Sequence, residues 1–558
     1  MTISKIIFGG FKSFKEPVEI PLAPITFLFG PNSVGKSVVR DALVELQKRL
    51  ARPKVKDGFG AALIRFASTD SNGHQLPRED EFEEPKVLRT ILGCEIDQFD
   101  AISAAQNIDG IGDKYLDVAS GLYWAMDGKT VKYWFCDEPG EWTCAYELRV
   151  DGKMVLQHMS ADTDEHASWP DLSGFDENTS IKPSHLGLLR LNLSHEVLAE
   201  PEFQALVKQI IENSTNRNSA WDRSVMWVSD AILNVRLSAD KRVLKTWSES
   251  LSEGNFWPPL PRSKYESLPG ELSALCAVVN ELARMLEWTL EQNLVIALVT
   301  GSRTTLSEKD ASSGWFEIQK YSSFRSQGYG VDEYARWLGI KSVDPDDLKL
   351  VLDKDGDDKD DYVNDVLTKQ LFSARKYTVK AEVSLREDRL VLPRDGLLST
   401  DSNFFMKSDL YLLDEQFRTL SFDQVGSGVS YLMPVLTALW GAEWSLIEQP
   451  ELHLHPAAQC EVGDAVIRAF NRGRFSIIET HSEHLLLRVL RRIRQTSDGK
   501  VVDRELQCQP EAVAVLYFSA KPDGTTQIDQ LRVTRGGDFM DRWPDGFFEE
   551  RSRELFDE

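Results

Sequence analysis

Cysteine is scarce and scattered. The six in 558 residues (Cys94, Cys136, Cys144, Cys276, Cys460 and Cys508) never come as C-x-x-C. That excludes a zinc-ribbon spacing and gives no hint of a disulfide framework, leaving free thiols in a reducing compartment. No apolar run is long enough to span a bilayer, so no membrane partner is expected. The opening Met1-Thr2-Ile3-Ser4-Lys5 has no signal-peptide core or cleavage site, and the expected location is the cytoplasm. Positive charge is short as well: 64 Lys and Arg against 88 Asp and Glu leave a net charge of −24. Such a chain is repelled by a phosphate backbone unless its basic residues are locally concentrated. Sustained heptads are absent, which argues against a long coiled-coil arm, and there is no internal repeat.

What is present is a hydrophobic content of 42%, ample for large cores. The length allows roughly two to four domains. Ser4 to Phe8 and Val18 to Ile20 read as strands around a turn-rich segment, Gly9-Gly10-Phe11-Lys12-Ser13-Phe14. Ile25-Thr26-Phe27-Leu28-Phe29 is a short apolar run suited to a buried strand. After it comes Gly30-Pro31-Asn32-Ser33-Val34-Gly35-Lys36-Ser37, and then Val39, Leu43, Leu46 and Leu50 recur at helical spacing. Strand, glycine loop and helix form the context of a phosphate-binding P-loop. In such a loop the backbone N–H groups of Asn32, Ser33, Val34, Gly35, Lys36 and Ser37 wrap the phosphates. Gly30 and Gly35 permit the tight path, Lys36 reaches the β- and γ-phosphates, and the Ser37 hydroxyl joins the Mg²⁺ shell. ATP and Mg²⁺ are therefore the expected ligands.

Residues from about 80 to 160 mix short aromatic strands with polar turns and predict a β-rich lobe. From about 195 to 300 the pattern is helical, as in Leu272, Leu275, Val278, Val279 and Leu282. The acidic run Asp353 to Asp361 matches a calcium loop only loosely, with Gly356 at the fourth position and Asn364 at the twelfth; a solvated loop explains it. From about 410 strand–helix alternation resumes, the α/β signature.

Three further segments carry chemistry. Ser445-Leu446-Ile447 is an apolar strand ending in Glu448, followed by Gln449-Pro450-Glu451-Leu452-His453-Leu454-His455-Pro456. A carboxylate on a strand end can sit beside Mg²⁺. Phe475-Ser476-Ile477-Ile478 leads into Glu479-Thr480-His481-Ser482-Glu483-His484. In a parallel sheet strand C-termini converge on a ligand crevice, where His481 could bond a γ-phosphate or an attacking water; a structural histidine explains it equally well. Asp423-Gln424-Val425-Gly426-Ser427-Gly428-Val429-Ser430 opens an apolar helix. It reads either as an anion site or as a turn capped by Ser427 or Ser430. His453, His455, His481 and His484 could also be imagined as a nuclease metal site, although no supporting ligand pattern accompanies them. Arg488, Arg491, Arg492 and Arg494 form the densest basic patch. It reads as a nucleic-acid or acidic-partner surface, or as a solvated face pairing with carboxylates.

Taken together, the P-loop, Gly-Ser-Gly-Val-Ser, Ile-Glu-Gln-Pro-Glu-Leu-His-Leu-His-Pro and Glu-Thr-His-Ser-Glu-His occur in the order of an ABC-type ATPase head. Their spelling resembles the prokaryotic AAA-type ATPases related to SMC, RecF and OLD proteins. Gly10-Phe11-Lys12-Ser13-Phe14 resembles their first strand, and Val299-Thr300-Gly301-Ser302-Arg303 loosely an internal Gly-x-x-Arg element. Arg542-Trp543-Pro544-Asp545-Gly546-Phe547-Phe548 resembles the ending of a subgroup common in anti-phage defence operons. The resemblance covers roughly 1–50 and 405–558.

That resemblance implies an α/β fold: an ABC-type head of mixed sheet and flanking helices, with a β-rich lobe and a large helical insertion. The expected division is 1–160 (P-loop and β-rich lobe), 161–400 (mainly helical, partner docking) and 401–558 (the rest of the head). It also implies roles. Lys36 and Ser37 hold phosphate and metal, and Glu448 is the Walker B carboxylate. Gly426, Ser427, Gly428 and Ser430 belong to a signature motif that meets the nucleotide of a second subunit. His455 stands at the D-loop position, and His481 is the switch histidine. Such heads close as homodimers, or larger homo-oligomers, over ATP. Gln449 departs from the pattern, because a catalytic Glu usually stands there. An amide can orient water but cannot take its proton; Glu451 could substitute, and slow hydrolysis is expected. The implied function is the ATPase subunit of a defence complex similar to those of Septu, retron or PARIS systems. A separate effector such as a nuclease is expected, since the chain ends at Glu558 without the nuclease domain of OLD-type relatives. The alternatives are a RecF- or SMC-like DNA-repair ATPase and a nuclease in its own right.

Overall fold

The computed structural model describes residues 2–10, 13–32, 34–50, 90–101, 116–138, 141–160, 185–216, 226–229, 231–238, 270–293, 296–301, 316–318, 377–394, 397–421, 424–441, 443–501 and 503–542. The loop residue Ser33, Phe11 and Lys12, Ser302 and Arg303, the acidic run 353–361, Asp423 and the segment 543–548 lie outside the described residues.

In chain order the elements are β1 (Thr2–Gly9), β2 (Val18–Pro21), β3 (Ile25–Phe29), α1 (Ser37–Leu50), β4 (Thr90–Asp97), α2 (Leu116–Trp124), β5 (Val131–Glu138), β6 (Glu141–Val150), β7 (Lys153–Ser160), β8 (His185–Asn192), α3 (Pro201–Asn216), β9 (Met226–Ser229), β10 (Ile232–Ser238) and α4 (Gly270–Asn293). They continue with β11 (Ile296–Val299), β12 (Phe316–Ile318), β13 (Thr378–Arg394), β14 (Leu397–Leu413), β15 (Thr419–Leu420), α5 (Ser427–Gly441), β16 (Trp444–Glu448), α6 (Pro456–Asn471), β17 (Phe475–Glu479), α7 (Glu483–Ser497), β18 (Val513–Ala520) and β19 (Thr526–Leu531). The chain divides into two units. The first is Met1–Leu22, Ser37–Leu294 and Lys521–Thr526; the second is Ala23–Lys36, Val295–Ala520 and Gln527–Glu558.

In the first unit nine strands form a sheet in the order β2-β1-β4-β5-β6-β7-β8-β10-β9, and every pairing is antiparallel. Between β6 and β7, Asp151 (φ 47°) and Gly152 (φ 74°) supply the two left-handed residues that a tight hairpin needs. Of the span 80–160, read from the sequence as a β-rich lobe, the described residues hold β4 to β7 and the helix α2. Helix α4 buries Leu272, Leu275, Val278, Val279, Leu282, Leu286 and Leu290, a stripe at helical spacing, and packs against α1, α2 and α3. Tyr123 of α2 hydrogen-bonds Thr289 of α4 through their hydroxyls.

In the second unit six strands run in the order β11-β16-β17-β3-β18-β19. The first five are mutually parallel. All five residues of β3 are buried, which is why this strand reads as an unbroken apolar run. Val435, Leu436 and Leu439 of α5, Val462 and Val466 of α6, and Leu486, Val489 and Ile493 of α7 share one core with Phe27, Ile447, Ile478 and Val515 of the sheet. A second sheet pairs β13 with β14 over seventeen residues each, with β12 and β15 on β14. The span 161–400, expected to be mainly helical, holds in its described part α3, α4 and the strands β8 to β13.

Candidate nucleotide site

A parallel sheet puts the C-terminal ends of its strands on one edge, and three of the sequence motifs end there. Register aligns Glu448 of β16 with Glu479 of β17, and Glu479 with Leu28 of β3. The P-loop leaves β3 one residue further on.

The loop's path depends on glycine. Gly30 has φ 139°, and a Cβ there would lie 2.3 Å from the carbonyl oxygen of Phe518 on β18. Gly35 has φ 97°. Asn32 is exposed, Val34 is buried, and Ser37 is the first residue of α1. Lys36 is 4% exposed. Its ammonium donates to the carbonyls of Gly30 (2.9 Å) and Pro31 (2.7 Å) and stands 3.8 Å from Glu479 Oε1. Burial pushes the lysine pKa below its ordinary value, and the Glu479 carboxylate opposes that shift.

Glu448 is half-buried, and its Oε2 accepts the backbone N–H of Gly301 at 2.8 Å, just beyond the edge strand β11. A Cβ on Gly301 would approach Gln449 Oε1 to 2.9 Å, so the amide would have to shift, and would lie in ordinary contact with Glu448 Oε2 at 3.7 Å. Gln449 has φ 48°, a left-handed backbone uncommon for a residue with a side chain. Its N–H donates to the Glu479 carbonyl at 2.7 Å. Glu451 accepts twice, from the Thr480 hydroxyl at Oε2 (2.7 Å) and from the His481 N–H at Oε1 (2.8 Å). His481 is half-buried. Burial first, and then the Lys36 charge, lower its pKa, while Glu451 pulls it back up.

In the glycine–serine motif, Gly426 and Ser427 are exposed and Ser427 opens α5. A Cβ on Gly426 would meet nothing within 4 Å, whereas one on Gly428 would lie 3.2 Å from the His453 carbonyl oxygen. Ser430 is 1% exposed, on the core side of the first turn. His455 is the N-cap of α6: its Nδ1 accepts the Ala457 N–H at 3.2 Å, and Pro456 takes the first helical position. His453 (φ 60°) is exposed, with its ring centroid 4.4 Å from that of Tyr431. Among the described residues no group of three or more His, Cys, Asp and Glu is placed to hold a metal ion, so the four histidines form no nuclease-type centre.

The arginines of α7 divide. Arg488 and Arg492 turn inward to Asp464 of α6, at 2.7 Å and 2.6 Å. Arg494 bonds the Gly536 carbonyl and Asp538. Arg491 is exposed. The carboxylate-paired reading of this helix therefore accounts for three of the four.

Lys36, Glu448, Gln449, Glu451 and His481 converge on one sheet edge. Three groups at that edge were not singled out from the sequence: Glu479, Thr480 and Gly301. Glu479 carried a signal, since it ends an apolar strand as Glu448 does. The residues suit a magnesium nucleotide. Hard oxygen donors are what Mg²⁺ takes, usually one or two from the protein, and the glycine loop with its buried lysine is the phosphate cradle.

A glycine loop leaving an inner strand of a parallel sheet, with two strands that end in carboxylates following one another on one side of it, has the make-up of a P-loop nucleotide site. Residues 255–488 match the family described as "AAA domain, putative AbiEii toxin, Type IV TA system". Residues 508–557 match "Protein of unknown function (DUF3696)". The first match takes in Gly301, Glu448 and His481 but not the P-loop. A comparison with curated proteins finds no match. Among solved structures, the Smc head domain with an extended coiled coil bound to the C-terminal domain of ScpA, derived from Pyrococcus furiosus, is 11% identical. It covers 95% of this chain and 96% of that one at a TM-score of 0.34. The SMC head domain from Thermotoga maritima is 9% identical, covering 96% and 100% at a TM-score of 0.29. At such scores the functional reading rests on the site itself. Among the described residues no helix is long and apolar enough to cross a membrane.

Proposed function

We propose that this chain is an ATP-binding, slowly hydrolysing ABC-like ATPase subunit that dimerises over ATP and controls a separate effector, such as a nuclease, in bacterial anti-phage defence. The observation that carries the ATPase reading is the meeting of Lys36, Glu479 and His481 beside Glu448 at the carboxyl edge of β3, β16 and β17. The defence role draws support from the match of 255–488 to an AbiEii-type family.

In this reading the backbone of residues 32–37 and the Lys36 ammonium bind the phosphates. Glu448 would hold Mg²⁺, which would supply charge neutralisation at the transferring phosphoryl group. Gln449 orients the attacking water without accepting its proton, and His481, neutral near pH 7, donates a hydrogen bond to the γ-phosphate. Gly426 and Ser427, exposed at the start of α5, meet the phosphate of a second subunit's nucleotide.

The test is steady-state turnover and native mass of the full chain, with and without Mg-ATP. Expected are ATP binding lost in Lys36→Ala, an ATP-dependent dimer, and turnover well below ~1 s⁻¹, against about 10 s⁻¹ for a median enzyme. Fast turnover that is abolished by Lys36→Ala would remove the slow-hydrolysis part. Binding that survives Lys36→Ala would remove the whole reading. Co-purification with the products of neighbouring genes tests the effector: a defence subunit retains one under some nucleotide condition.

A further inference from the structure

Two carboxylates follow β16, and they are committed differently. Glu448 faces Gly301. Glu451 faces the loop after β17, which it grips with both oxygens: the Thr480 hydroxyl at 2.7 Å and the His481 backbone N–H at 2.8 Å. The same loop is sewn down on its other side. Thr480 Oγ1 also accepts the Ser482 N–H (2.9 Å), the Ser482 hydroxyl donates to Gln459 Oε1 (2.7 Å), and Gln459 Nε2 donates to the Leu454 carbonyl (2.9 Å). Ser482 in turn caps α7 through the Leu485 N–H at 3.1 Å. Thr480 is fully buried and Ser482 nearly so. Buried donors of this kind need their acceptors, because each lost partner leaves a desolvated group behind. His481 is thus held at its backbone by Glu451, while its ring lies close enough to Lys36 for that charge to lower its pKa.

The geometry points to Glu451 as a latch. It is a positioning residue that fixes the His481 loop relative to the loop after β16, and it is not the proton acceptor that replaces the missing catalytic glutamate. A general base must aim an oxygen at the attacking water, and each Glu451 oxygen is aimed at a donor of the switch loop. With Gln449 an amide, this leaves the site able to orient water but without a carboxylate committed to deprotonating it. The inference rests on the ATPase reading above for its catalytic consequence; the latch itself does not.

Two substitutions separate the roles. In Glu451→Gln the side-chain carbonyl can keep the His481 N–H and the amide can donate to Thr480 Oγ1, reversing that bond and costing the Thr480 proton its acceptor, whereas Glu451→Ala removes both contacts. The expected result is a loss of kcat on the order of 100-fold in E451A, with ATP affinity changed by less than about threefold. E451Q is expected to stay within about tenfold of the wild-type kcat, because the latch survives loss of the charge. The double variant E451A/H481A should be no slower than H481A. Amide hydrogen exchange reads the latch directly: protection of 480–482 drops in E451A and persists in E451Q, with or without ATP. A folded E451Q as inactive as E451A, with 480–482 still protected, would overturn the proposal in favour of a base. Unchanged exchange in E451A would overturn it as well. Should E451A fail to fold, kcat of E451Q decides alone, and a loss beyond about tenfold counts against the latch. If the wild-type chain neither binds nor hydrolyses ATP, the proposed function falls while the exchange comparison still judges the latch.

Discussion

His481 shows how much a single side chain's chemistry owes to its neighbours. Its ring loses water on burial and sits near the Lys36 ammonium, and both effects favour the neutral form; the Glu451 carboxylate works in the opposite direction. The net shift is downward from the ordinary value of 6.5. The consequence for pH has a definite sign. Below 6.5 the unfolded chain takes up a proton that the folded chain refuses, so the stability contributed by neutral His481 is complete above 6.5 and declines as pH falls through its lowered pKa. An NMR titration of the ring should accordingly give a midpoint below 6.5, and the acid limb of the ATPase pH profile should follow it. A midpoint above 6.5 would show that the Glu451 charge outweighs burial and Lys36 together. Gly30 makes the complementary point. With φ 139° and the Phe518 carbonyl 2.3 Å from where a Cβ would stand, no other residue fits that turn.

At the scale of elements, α6 and α7 are joined by charge as well as by their apolar faces. Asp464 is 2% exposed and receives Arg488 at one oxygen and a forked pair of bonds from Arg492. The helices pass closely here, since a Cβ on Gly463 would lie 3.0 Å from the Leu485 carbonyl oxygen. Removing this buried carboxylate leaves Arg488 with Glu461 (3.1 Å) and Arg492 with Gln495 (3.0 Å), so two partly buried guanidinium groups lose their strongest contact. Asp464→Ala should therefore cost about 2–4 kcal/mol, read as a lower melting midpoint. Because α7 begins at the Ser482 cap next to His481, ATP turnover should fall with it. A variant that melts like wild type would mean that solvent already satisfies these arginines. This pairing also explains why the densest basic run of the chain does not present four free cations.

For the molecule as a whole, the net charge of −24 bears on association. In the proposed dimer, two copies closing over ATP would bring like charges together. Screening length falls from about 30 Å at 0.01 M salt to about 10 Å at 0.1 M, so the ATP-dependent dimer fraction at fixed concentration should rise over that interval in sedimentation experiments. A dimer that instead dissociates as salt increases would place complementary charge at the interface, strong enough to override the overall repulsion. The same acidity leaves nucleic-acid contact dependent on a local basic surface, and most of the α7 candidates are already paired.

What the sequence by itself determined lies in local segments: the apolar run of β3, the glycine loop behind it and the strand end at Glu448. Each depends on neighbours a few residues away, so composition and spacing suffice to read it. The span 161–400 was less legible. Its strands β8 to β13 find partners in pairings that no short window displays, and much of it offered no motif. Tertiary structure alone decided which side chains meet. Lys36 reaches Glu479, Gly301 caps Glu448, and Glu451 holds Thr480 and His481, because β11, β16, β17 and β3 lie side by side in an order unrelated to their order in the chain. The same cause divided the arginines of α7 between a buried carboxylate and solvent. A linear pattern can mark a helix face, but what packs against that face is settled only when the helices meet.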